Sequence, residues 1–173
     1  MQDDDGRWPL PPEHPNALTD AIGRIAIASA YLEFALRSAI NGLRFGHMKM
    51  IGQDKRLKRL IDELDMTLVT RPFPDRGLID SEWPALRSEL RRAMSLRDHV
   101  IHSVWHLQED GKMIAWRENN KPTKRQRPFT LEQVRRLAID LKNAAHDVGW
   151  LEWNVLAPET GMPEREKRSG DVF

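Results

Sequence analysis

The chain has 173 residues, 40% hydrophobic and 31% charged, which suits a soluble globular domain with its own core. It has no cysteine, so disulfides, thiolate metal sites and a thiol nucleophile are excluded. Lys and Arg number 27 against 26 Asp and Glu; a net charge of +1 leaves nucleic-acid binding to local patches.

The amino terminus, Met1-Gln2-Asp3-Asp4-Asp5, is acidic and lacks the basic and apolar regions of a signal peptide. No apolar run approaches the ~20 residues that span a bilayer. The expectation is a cytoplasmic protein without a membrane partner. Residues 1–16 hold Pro9, Pro11, Pro12 and Pro15 and read as an extended or disordered lead-in. Trp8 and Leu10 in it are able to dock on the body, though nothing in the sequence requires it.

From Ala17 to Leu43 the positions Leu18, Ile22, Ile25, Ser29, Leu32, Leu36, Ala39 and Leu43 alternate four- and three-residue steps. That spacing predicts a long helix with a seam for bundle packing, and Ala21, Ala28 and Ala35 allow close approach beside it. Glu33 and Arg37 are spaced as a helical ion pair; Glu33 is alternatively placed to reach a later helix and hold Arg97. Gly42, Gly46 and Gly52 break the pattern. A second helix is predicted over about Gln53 to Val69, with Leu57, Leu60, Ile61, Leu64 and Leu68 inward. Lys55, Arg56, Lys58 and Arg59 crowd its amino-terminal end, where the dipole mildly disfavours cations.

Pro72, Pro74 and Gly77 forbid helix between 71 and 77. Asp80 or Ser81 is then placed to cap a third helix, with Pro84 in its first turn. Leu86, Leu90, Ala93, Met94 and Ile101 form its apolar stripe, and Arg97 falls in the middle of it. A guanidinium there is costly unless it meets an anion or a partner subunit. His102 lies about 140° further round, on a flank shared with Arg91, Ser95 and Asp98. One helix end thus carries a fixed cation, a carboxylate and an imidazole that titrates near neutral pH, the parts needed to cleave RNA.

The hexapeptide Arg97-Asp98-His99-Val100-Ile101-His102 has the form Arg, polar residue, three residues, His. It resembles the signature of the HEPN superfamily, whose members are often metal-independent ribonucleases. The resemblance in architecture covers about residues 17 to 150; at residue level it is confined to the motif. It implies a small helical bundle, a homodimer with both motifs in a shared cleft, no metal and no cofactor. It assigns Arg97 and His102 as catalytic, with Asp98 orienting them; Glu33 and His99 are supporting candidates from their placement in the chain. The family often has Asn where this chain has Asp98, an acceptor only when ionised. The resemblance further implies a bacterial toxin or phage-defence effector acting on RNA, restrained by a neutralising antitoxin or regulatory partner.

After His102 the period changes. Val104-Trp105-His106-Leu107 and Met113-Ile114-Ala115-Trp116, joined through Asp110-Gly111, predict a β-hairpin. Residues 117 to 127 read as a basic loop carrying Arg117, Lys121, Lys124, Arg125 and Arg127 beside Trp105 and Trp116. Cations interleaved with aromatics suit single-stranded RNA; a solvated loop beside two core tryptophans is the plain alternative. Thr130 and Gln133 form a capping box that opens a last helix to about Trp150, and from Pro158 the tail reads as charged and disordered.

The expectation is therefore an all-α, four-helix-type bundle over residues 17–156, with a β-hairpin inserted before the last helix and a flexible tail over 157–173. Two other readings of function stay open: a catalytically silent RNA- or nucleotide-binding module, and a helical dimerisation protein. In both, Arg97 and Asp98 form structural ion pairs and His102 closes the helix. A zinc site at His99, His102 and His106 is disfavoured, because His106 falls beyond the helix.

Overall fold

A computed structural model describes residues 16–45, 57–107, 113–117 and 125–167. Among them the chain forms α1 (Asn16–Phe45), α2 (Leu57–Thr70), α3 (Gly77–Ile101), β1 (Val104–Leu107), β2 (Met113–Arg117), β3 (Arg125–Phe129) and α4 (Leu131–Thr160). This is an all-α bundle with a small antiparallel sheet inserted between α3 and α4. No described helix is long and apolar enough to cross a membrane.

α1 and α4 make the broadest helix contact; α2 lies against α1, and α3 against α4 and α2. The expected seam of α1 faces the core: Ile25, Leu32 and Leu36 are wholly buried, Leu43 nearly so. Leu60, Ile61, Leu64 and Leu68 of α2, Leu86, Leu90 and Ala93 of α3, and Leu137, Leu141 and Leu151 of α4 complete it. Each such leucine or isoleucine contributes about 1.5–3 kcal/mol through burial. Buried Trp83 donates its indole N–H to Asp65 Oδ1 at 2.7 Å, tying α3 to α2.

Three local expectations are corrected. α3 begins at Gly77, not at Asp80 or Ser81, because the Asp75 carboxylate accepts the Gly77 N–H at 2.7 Å and starts the first turn there. Pro84 consequently lies inside the helix. The hairpin carries a third strand: Arg125–Phe129 pairs with β2, with Met113 opposite Phe129 and Ala115 opposite Arg127. Pro128 is tolerated because β3 is an edge strand, where one row of backbone groups needs no partner.

The third correction is the end of the chain. The capping box forms as expected: Thr130 Oγ1 accepts from Gln133 N at 3.1 Å, and Gln133 Oε1 from Thr130 N at 2.9 Å. α4, however, runs ten residues past Trp150 and ends at Gly161, whose φ of 69° suits a residue without Cβ. The following segment folds back along α4. Asn154 binds the Arg165 backbone in both directions, at 2.7 and 2.9 Å. Trp150 and Trp153 donate to the carbonyls of Arg165 and Pro163. The Arg165 guanidinium lies 3.4 Å from the centre of the Trp153 ring. A charged tail is ordered here because the side chains of α4 satisfy its backbone. The expected lead-in up to residue 15, Lys55 and Arg56, and the tail after 167 lie outside the described residues.

Candidate functional site

The last turn of α3 is built by two opposing demands. Its core stripe continues through Leu90, Ala93 and Met94 to Val100, and Arg97 occupies the stripe between them. The guanidinium resolves this by turning along the helix: Nη1 meets Asp98 Oδ1 at 2.9 Å, with 26% of the Arg97 side chain and 41% of the Asp98 side chain exposed. Its Nε is buried and has no hydrogen-bond partner among the described residues. Placing a guanidinium nitrogen there without an acceptor costs about 1–3 kcal/mol.

Asp98 also holds the helix end, since its carbonyl accepts the His102 N–H at 3.2 Å. His102 is the C-cap, with φ −104° and ψ 16°, and its ring is exposed where the helix dipole favours a cation. The two expected catalytic groups therefore leave the same stretch of helix, joined through Asp98, whose side chain holds Arg97 and whose backbone holds His102. Among the described residues no hydrogen bond joins the Arg97 guanidinium to the His102 ring. Arg91, on the His102 flank, meets Asp62 of α2 at 2.8 Å.

The sheet fixes this helix end from the other side. Trp105, Met113, Ala115 and Phe129 are buried. The Trp105 indole donates to the Val100 carbonyl at 3.1 Å, and its ring packs 5.6 Å from that of Phe129. Phe129 also lies 5.9 Å from the His99 ring, and the Ser103 hydroxyl donates to the His99 carbonyl. His99 is thus half-buried against the sheet.

The expected site residues separate into three groups. Asp98 pairs with Arg97, and His102 caps the same end of α3. Glu33 instead takes the plain alternative: its carboxylate receives the Arg37 guanidinium at 2.8 Å within α1. Among the cations, Arg127 is exposed and its guanidinium lies 5.3 Å from the centre of the Phe129 ring. Arg125 pairs in register with Arg117 across β2 and β3. Lys121 and Lys124 lie outside the described residues. Trp105 is a core residue and offers no face for base stacking, which corrects one half of the aromatic expectation.

Sequence reasoning missed Phe129 as the link between the sheet and the motif helix. Its signal was the alternation Arg125, Arg127, Phe129. Among the described residues no group of three His, Asp or Glu is placed to hold a metal ion. Comparison of the chain with protein-family models, with curated proteins and with solved structures finds no match.

Proposed function

We propose that the protein is a metal-independent endoribonuclease of HEPN type, working as a homodimer whose two motifs share a cleft. The observation that carries the reading is Arg97: a cation held on an apolar stripe, with a quarter of its side chain exposed, one and a half turns before an exposed imidazole. A phosphate would meet the exposed part of the guanidinium, and the helix end keeps His102 open to solvent.

In the proposed reaction the 2′-oxygen of the substrate attacks the adjoining phosphorus and the bond from phosphorus to the 5′-oxygen breaks. His102 of one protomer accepts the 2′-hydroxyl proton, and a proton returns to the departing 5′-oxygen, so a 2′,3′-cyclic phosphate and a 5′-hydroxyl result. Arg97 neutralises the charge on the pentavalent phosphate. The exposed Arg127 of β3 would help guide the strand. A toxin or defence role, with a protein partner that restrains it, belongs to the same proposal.

The test is cleavage of mixed RNAs in excess chelator. Arg97→Ala and His102→Ala are expected to lose at least ~100-fold in rate while keeping the helical circular dichroism of the parent. Equal cleavage by parent and variants would contradict the assignment. One observation favours a second reading, a silent RNA-binding module: the Arg97–Asp98 pair already neutralises the guanidinium. In that case RNA is retained and not cut, and Asp98→Asn strengthens retention severalfold.

A further inference from the structure

We infer that the outward face of α1 is where two copies of this chain pair, antiparallel, about a two-fold axis near the middle of the helix. Ile27, Tyr31 and Phe34 follow one another at steps of four and three and are 61%, 62% and 70% exposed. They stand opposite the buried seam of Ile25, Leu32 and Leu36, so the middle of α1 is apolar all round, the pattern of a helix covered on both sides. Residues 25 to 32 include no charge, in a chain of which 31% is charged.

The two ends of this face differ in a way that selects the occupant. Gly23, Ala26 and Ala30 make its amino-terminal part small, and all three are exposed. Gly23 lies inside the helix, where glycine is less favourable than alanine, and a Cβ there would meet nothing within 4 Å. No neighbour in the described chain accounts for that glycine. Turned end for end, a second copy lays Tyr31 and Phe34 over this small surface, and the same happens on the other side by symmetry. A parallel pair would instead crowd ring on ring and leave the glycines facing a gap.

Charge and area agree. The face is closed at each end by an acid–arginine pair neutralised within its own chain, Asp20–Arg24 at 2.9 Å and Glu33–Arg37 at 2.8 Å. The rims therefore meet without net repulsion. With aromatic side chains burying about 150–250 Å² each, the three large residues hold roughly 350–400 Å² of apolar surface, near half of what each partner gives to a standard interface. The small residues and the rims supply the rest.

The inference stands on α1 alone and is independent of the motif cleft in the proposed function. A protein that pairs through α1 and cuts no RNA would remove the nuclease and leave this surface. Sedimentation equilibrium of the whole chain is expected to give twice the 20.1 kDa protomer mass. Phe34→Glu and Gly23→Trp are each expected to give the protomer mass with unchanged helical circular dichroism, the first by charging the face and the second by filling the space a ring needs. The chain has no cysteine, so single introduced thiols report the orientation. Ala30→Cys forms a covalent dimer on oxidation, whereas Asp20→Cys, about 25 Å from its mate in an antiparallel pair, does not. A monomeric parent, a dimer indifferent to both substitutions, or ready cross-linking through Asp20→Cys would overturn the inference; the first would leave the face to another segment of this chain.

Discussion

Arg97 is the residue whose position needs an explanation. A core stripe tolerates a guanidinium only through its partners, and Asp98 satisfies one nitrogen while Nε has none among the described residues. Stability alone does not account for that choice, which leads to a prediction separating function from fold. Arg97→Met keeps the aliphatic stem and removes the unsatisfied donor. It is expected to raise the melting temperature by about 2–4 °C, near 1 kcal/mol in a chain of this length, while abolishing RNA cleavage. A melting temperature lowered by several degrees would instead make Arg97 a structural residue. The motif was legible at this scale because its spacing lies in the sequence. The acceptor of Arg97 stays open in the sequence between Glu33 and Asp98; the local spacing of Glu33 and Arg37 within α1 decides it, and Asp98 is the partner of Arg97.

At the scale of elements, the helices were legible wherever an apolar period of 3.6 ran unbroken, as in α1, α2 and the body of α4. The misreadings fall at a helix start set by the Asp75 carboxylate, at a third strand held by backbone pairing to β2, and at a tail held by side chains of α4. The sheet depends on β3, and β3 on Phe129, which touches Trp105 and carries Arg127 above its ring. Phe129→Ala is expected to destabilise the protein by about 3–5 kcal/mol and to reduce RNA cleavage, since the sheet braces the turn that carries His102. Chemical denaturation with a parallel activity assay checks both. The returning tail makes a pH prediction. Lys167 bonds Glu82 of α3 at 2.7 Å, and this bond raises its pKa above the usual lysine value. Beneath it, burial raises the pKa of the Asp147 carboxyl, with Lys167 opposing and Glu89 and Glu82 adding to the shift. A carboxyl whose pKa is raised on folding stabilises the fold when protonated, below its usual 3.8, and loses that contribution as pH rises through its folded value. Asp147→Asn is therefore expected to raise the melting temperature at pH 7 and to have no effect near pH 3; thermal scans across that range show the sign.

For the whole molecule, the bundle and the β1–β2 pair follow from periodicity, whereas the third strand, the outward face of α1 and the docked tail do not. Ile27, Tyr31 and Phe34 look like further core residues in a sequence, and only the placement of the other three helices shows them uncovered. One chain thus presents a motif at the end of α3 and an exposed apolar face on α1, remote in sequence and joined through a shared core. The central claim is that RNA is cut by its own 2′-hydroxyl with protein side chains and no metal. The direct measurement is cleavage, in excess chelator, of an oligonucleotide and of its counterpart with a single 2′-deoxy residue at the scissile step. The first is expected to give a 2′,3′-cyclic phosphate product and the second no cut at that step. Cleavage that ignores the deoxy substitution, or that needs an added divalent ion, would contradict the claim.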